Sequence, residues 1–231
     1  MLRGVSEIEQ VAKSAALRTL STLHRPQASA RFRRDAAALA AGDDLLKVNI
    51  GAATKLVPGW MNTDVHYRAP YYLDLLKPWP VPPQSVDRVF ADNVIEHFTI
   101  ADARTLLRHA FDAMAPGGGI RLVTPDVERI ARAYLDDLDL ATRHLDRHRR
   151  HGYVVHYPVD LLRVTFAESG HHLGFCHDFA SLSAEVAQAG FGDVVRREAG
   201  KSDDEAFSGI EQRVGDTEAA TTLVIEAWKP A

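Results

Sequence analysis

Asp64, Asp74 and Asn93 are the residues whose types and placement could do chemistry. Each stands at or just past the end of a short apolar run. Gly51 closes another such run, in the stretch VNIGAATKLVPGWMNTDV, which leads on to YYLDLLKPWPVPPQSVDRVFADNVIEHF. Two carboxylates at neighbouring strand ends can accept hydrogen bonds from the diol of a ribose and the amine of a nucleobase, and charge-assisted bonds of that kind are strong. Aspartate also caps turns, and spacing alone does not separate the two roles.

Strands must position these residues. The runs 46–50, 61–65, 86–91 and 119–124, with a weaker one at 71–73, are brief apolar segments closed by small or acidic residues. That is how strands of a parallel sheet buried on both faces read. Ligands of an open α/β sheet bind beyond the carboxyl ends of its strands, so the polar residues would converge on one crevice. Only about ten residues separate the first two runs, and they include Pro58 and Gly59. A parallel crossover normally takes a dozen or more, with a helix, so a loop with at most one helical turn is expected. Of the glycines of a G-x-G-x-x-G fingerprint only Gly51 is present, and Asp64 follows it by thirteen residues, not the roughly twenty of the nicotinamide pattern. Both features disfavour a nicotinamide enzyme.

The flanking segments read as packing for this sheet or as a cover over it. Residues 5–40 are Ala-rich and predict one or two helices broken near His24-Arg25-Pro26. Thr99 is placed to cap a helix whose residues Ala103, Leu106, Leu107, Ala110, Phe111 and Met114 share one face, and Pro116-Gly117-Gly118-Gly119 is placed to stop it. Residues 127–145 predict one long charged helix. Residues 148–177 predict an irregular segment dense in His, Tyr and Arg, and a long segment of that kind is often functional. Asp178 opens a short helix, and 193–197 and 221–228 close the chain as strands around a polar loop at 202–218.

Composition bounds the class. The chain has 231 residues, 46% hydrophobic and 25% charged, with a net charge of −4, ordinary for a soluble globular protein. No run is long and apolar enough to predict a membrane span, and the first residues lack a secretory h-region. A single cysteine, Cys176, fits a reducing compartment, so a cytoplasmic protein is expected. Residues 1–41 hold seven Lys or Arg against three Asp or Glu, which leaves twenty against twenty-eight elsewhere. The crevice is therefore acidic, which suits a neutral or cationic small ligand and disfavours nucleic acid.

The order of motifs resembles the class I S-adenosylmethionine-dependent methyltransferases, in particular a small bacterial group of them. The matching pieces are VNIGAAT, GWMNTDV, LDLLKPWPVPPQSVDRVFADNVIEHF, MAPGGGIRLVTPD, HHLGFCHDFASLSAEVAQAGF and TTLVIEAWK, covering roughly residues 45–229 in order. The resemblance implies an α/β fold: a single Rossmann-like three-layer domain with a mostly parallel seven-stranded sheet and an antiparallel C-terminal hairpin. With the helical reading of the N-terminus and the irregular segment, the chain divides into a helical N-terminal extension at 1–41 and a methyltransferase domain at 42–231, with 148–177 as lid. The resemblance further implies S-adenosyl-L-methionine as cofactor. Gly51, with its neighbours Asn49 and Ala52, would face the methionine part. Asp64 would hold the ribose hydroxyls, Asp74 and Leu75 would flank the adenine, and Asn93 would sit beside the methionine. Where the family has further glycines this chain has Ala52-Ala53, and alanine disfavours positive φ.

The activity so implied is methyl transfer to a small-molecule or saccharide acceptor, through oxygen. A hydroxyl acceptor needs a base. His97 and His171 are the candidates, with His156 and His172 behind them, and His97 reads equally well as a packed residue. The alternative is a catalytically silent cofactor-binding or interaction module. No metal is expected, because the spacing of His171, His172, Cys176 and His177 matches none of the usual zinc patterns. The run RHLDRHRRH, 143–151, offers Arg forks to a phosphate but reads more simply as a solvated helix face.

Overall fold

The computed structural model describes residues 7–168, 170–211 and 215–231, and only the backbone of 7–23 and 216. A seven-stranded sheet is formed by β1 (Lys47–Ile50), β2 (Met61–Asp64), β3 (Tyr71–Tyr72), β4 (Val86–Asp92), β5 (Met114–Pro125), β6 (Gly192–Arg197) and β7 (Thr222–Trp228). The strand order is β3-β2-β1-β4-β5-β7-β6. The first five strands run parallel, and β7 is antiparallel to both β5 and β6. Around the sheet lie α1 (Glu7–Ala40), α2 (Ile100–Ala113), α3 (Val127–Asp136), α4 (Leu138–Arg150), α5 (Asp160–Ala167), α6 (Phe179–Gln188) and α7 (Asp216–Ala220). Among the described residues no helix is long and apolar enough to cross a membrane.

Period-two alternation divides the strands between two faces. Val89, Ala91, Ile120, Leu122, Leu223 and Ile225 point to the main core, where α2 and α6 dock. Phe90, Val123 and Val224 point the other way and pack with Trp60 and Phe207, which lie in loops. On that face β5 also places Arg121, fully buried, bonded to Glu211 at 2.6 Å and to Glu226 of β7. A third apolar cluster, with Ile130, Ala141, Leu145 and Leu161 in it, ties α3, α4 and α5 together above the carboxyl edge. The crossover from β1 to β2 is a loop of turns without a helix, as its length predicts.

Several elements differ from the sequence expectation. α1 does not break near Pro26 and runs through it. The missing amide and the ring clash cost about 3 kcal/mol, and tertiary packing offsets this. Ala28, Phe32 and Ala36 are fully buried, and His24 Nε2 lies 3.0 Å from the Ala69 carbonyl. The predicted helix over 127–145 is two helices, because Asp137 ends α3 and its carboxylate accepts the Leu140 N–H at 2.9 Å to cap α4. The segment 148–177 is not wholly irregular: it holds α5, where Asp160 accepts the N–H groups of His156 and Tyr157 at 2.6 and 2.8 Å. Met114 belongs to β5 and not to the face of α2. Val86 pairs with Met114 and Arg88 with Gly119, so 115–118 loop out of the ladder as a bulge.

Candidate active site

The carboxyl edge carries, in lateral order, the ends of β3, β2, β1 and β4. At the end of β1, Gly51 sits at φ +63°, and a Cβ there would lie 2.5 Å from Val94 Cγ2. Only glycine lets the chain turn this closely. The loop that follows is held from beneath. Asn49 donates to Asn62 at 2.8 Å, and Asn62 bonds the backbone of Val57 at both its N–H and its carbonyl. Asn49 is 3% exposed, so its amide is engaged in the loop.

Asp64 ends β2. Its carboxylate accepts the N–H of Ala53 and that of His66, each at 2.8 Å. Ala53 takes φ +45°, so the alanine adopts the left-handed conformation that its methyl group disfavours, and Asp64 holds it there. Asp74, past β3, accepts the Leu76 N–H at 3.2 Å and pairs with Lys77 at 3.3 Å. It borders a shallow cleft with Arg25 and Ser29 of α1. Leu75 is buried in the main core. Asn93 follows β4 at φ +55°, its N–H bonded to Val123 and its buried Oδ1 without a hydrogen-bond partner.

Two further clefts open at this edge. One of about 270 Å³ lies at the ends of β1 and β4, lined by Gly51, Ala52, Lys55, Phe90 and Asp92. The other, of about 430 Å³, lies beyond β4 and β5 and is lined by Asn93, His97, His144, His148, Tyr153 and His171. Arg147 and Glu218, paired at 2.9 Å, border both. His97 and His171 thus come together, their ring centroids 4.9 Å apart. His156 and His172 are exposed and line neither cleft. His171, His172, Cys176 and His177 do not converge. Among the described residues, the metal-capable side chains within reach of one another are Glu96, His97 and His171.

Burial sets the charge of the larger cleft. Desolvation, with Arg147 adding to it, pushes His144 down to about 4. Desolvation followed by His144 and its neighbours pushes His148 to about 4. His97 is lowered too, by burial first and by His171 second. With values near 4, His144 and His148 are neutral at physiological pH, so each offers one donor and one acceptor. Burial raises Cys176 to about 11, with Glu96 contributing, so it is no thiolate nucleophile.

The sequence reading took 143–151 for a solvated helix face or a phosphate site, and missed that one side of α4 lines the cleft. His144, Arg147, His148 and His151 recur at i, i+3, i+4 and i+7, and all four line the larger cleft. That spacing marks one side of a helix and was the available signal. A polar stripe usually points to solvent, and here the opposite flank carries the exposed Asp139, Arg143, Asp146 and Arg150.

No protein-family profile and no curated protein sequence matches the chain. Solved structures do. The citrinin polyketide synthase CMeT domain is 14% identical, with 82% of this chain and 48% of that one covered and a TM-score of 0.51. The chain shares the fold of that domain. The S-adenosylmethionine-dependent methyltransferase SibL is 17% identical over 98% of this chain and 60% of that one, with a TM-score of 0.48. Human N-acetylserotonin methyltransferase in complex with SAM is 15% identical over 87% and 52%, with a TM-score of 0.46. The assignment rests on the first and is one of fold. The chain spans 48%, 60% and 52% of the length of these three solved structures.

Proposed function

We propose that this chain is an S-adenosylmethionine-dependent methyltransferase acting on a small-molecule or saccharide acceptor, through oxygen. The observation that carries the reading is Asn93. It sits at the end of β4 with a buried, unpartnered Oδ1 and borders the histidine-lined cleft, where a cofactor and an acceptor would meet. The remaining residues fit such a cofactor. A carboxylate has about four lone-pair sites, and Asp64 uses two of them on Ala53 and His66, which leaves acceptors for the two hydroxyls of a ribose. The turn at Gly51 brings backbone to the edge without a side chain in the way. Asp74 would offer an acceptor to the adenine, with Leu75 behind it in the main core, while Asn49 supports the Gly51-Ala52 turn through Asn62.

The cofactor, when bound, supplies a methyl group on sulfonium. The protein aligns the acceptor and excludes water, and positioning of that kind is worth about 7–11 kcal/mol. His97, its pKa lowered by burial at the cleft wall, is placed to take the acceptor's proton, with His171 beside it. The segment 148–177, which supplies one wall of the cleft, serves as a lid. Asp64, Asp74 and Asp92 mark the strand ends, which disfavours nucleic acid as a partner, and the lone cysteine suits the cytoplasm.

Calorimetric titration with S-adenosylhomocysteine followed by an acceptor screen tests this reading. Saturable 1:1 binding and turnover on a hydroxylated acceptor support it, and absence of binding overturns it. One observation favours a second reading, a silent cofactor-binding module: the left-handed Ala53 beside Asp64 puts a methyl group where the family has glycine. Turnover on any acceptor excludes that reading.

A further inference from the structure

Glu96 and His97 lie in a single-turn 3-10 helix (Ile95–His97) just past β4, and His171 lies in another (His171–Leu173). The two turns are locked against each other. A Cβ on Gly174 would lie 1.8 Å from the Glu96 carbonyl, and one on Gly170 would lie 3.3 Å from His97 Nδ1. The Phe175 N–H donates to the Phe98 carbonyl at 2.9 Å. No side chain fits at 174, so this approach is built into the sequence GHHLGF. It brings one ligand atom each from Glu96, His97 and His171 within 4.8 Å of one another.

We propose that Glu96, His97 and His171 bind a divalent first-row transition ion, with the open coordination positions facing the histidine-lined cleft. A carboxylate with two imidazoles is a ligand set of catalytic zinc and non-haem iron sites, which keep positions open for substrate. The outer contacts are those a site of this kind needs. His171 Nδ1 lies 2.7 Å from the Thr165 carbonyl. A carbonyl only accepts, so Nδ1 carries the hydrogen and Nε2 keeps its lone pair for a ligand. Glu96 is fully buried, and its Oε2 accepts the hydroxyl of Thr124 at 3.0 Å, which fixes the carboxylate. His97 lines the cleft. Bonds of about 2.0–2.2 Å place tetrahedral ligand atoms roughly 3.4 Å apart, a closure that small side-chain rotations supply.

The role of the ion rests on the methyltransferase reading, whereas its binding does not; with the ion bound, His97 is a ligand and no longer the base, and the metal activates the acceptor in its place. Bound to an acceptor hydroxyl, the ion lowers the pKa of that group. The proton leaves to solvent, the oxygen–carbon bond forms, and the carbon–sulfur bond breaks with its electron pair on sulfur.

Titration calorimetry of the chelator-stripped full chain with Zn²⁺ tests the site. One ion per chain is expected, with affinity at least tenfold weaker in His97→Ala, His171→Ala and Glu96→Gln and unchanged in His172→Ala, whose side chain is exposed. Because Glu96 is buried, His97→Ala is the deciding variant, and its circular dichroism reports folding. Absence of stoichiometric binding, or undiminished binding by folded His97→Ala, overturns the site. Titration of the same stripped protein with S-adenosylhomocysteine separates the two readings. Zinc binding without nucleoside binding keeps the metal site and sinks the methyltransferase, and the reverse result does the opposite.

Discussion

The carboxylate of Asp64 and the backbone N–H of Ala53 lie 2.8 Å apart, so one residue both ends β2 and holds the turn that follows β1. Asp64 is therefore structural in the free protein, and its remaining lone pairs are what a ligand could use. Ala53 is held at positive φ by this bond, where a non-glycine residue is strained by about 1–2 kcal/mol.

Replacing Ala53 with glycine removes that strain. Glycine also gives the unfolded chain more freedom, which costs about 0.4–1 kcal/mol. The expected net result is a gain of about 0.5 kcal/mol in urea denaturation. A clear loss of stability would show that the methyl group is packed usefully.

The sheet was legible because fully buried parallel strands are apolar runs, and α2 because Ala103, Leu106, Leu107 and Ala110 keep one period. What escaped depends on contacts that no local pattern encodes. Pro26 sits inside a helix because Phe32 and Ala36 anchor the turns after it in the core. Asp137 caps a helix in the middle of a charged run that reads as continuous. At the site, Asp64, Asp74 and Asn93 were found as strand-end residues. The clustering of His144, His148 and His171 was not, since buried imidazoles pack like core residues and pattern reading counts them as surface.

His144 makes stability pH-dependent. Its folded pKa, about 4, lies below the ordinary 6.5, so the unfolded chain takes up its proton first as pH falls. The stability is fully present above pH 6.5 and is lost as pH falls from there towards 4, by up to about 3 kcal/mol for this group. His148 adds in the same direction. Urea denaturation of the parent and of His144→Gln at pH 7.5 and 4.5 measures this, and the variant should lose less over that interval. Identical losses would mean that His144 does not carry the effect.

Arg121 is fully buried between Glu211 and Glu226. Glu226→Ala leaves that guanidinium short of a partner and should destabilise the fold by about 3–5 kcal/mol. A loss under about 1 kcal/mol in urea denaturation would show that water or Glu211 takes over the charge.

If 148–177 closes over the cleft, amide hydrogen exchange there slows when S-adenosylhomocysteine and an acceptor are bound, while the β4 and β5 amides change little. Equal protection of the segment in free and bound protein would count against a lid.

Calorimetry of S-adenosylhomocysteine binding to the parent, Asp64→Asn and Asp64→Ala tests the central claim most directly. Asp87 is unsuitable as a control because its carboxylate accepts the Leu46 N–H at 2.7 Å and so holds the start of β1. Asp112, exposed on α2, serves instead. Two hydrogen bonds to a charged acceptor, each worth about 1.5–3 kcal/mol, predict a fall in affinity of about two to four orders of magnitude for Asp64→Ala. Asp64→Asn should fall between, and Asp112→Ala should match the parent. Parent-like binding by a folded Asp64→Ala would contradict the assignment of the cofactor to this edge of the sheet.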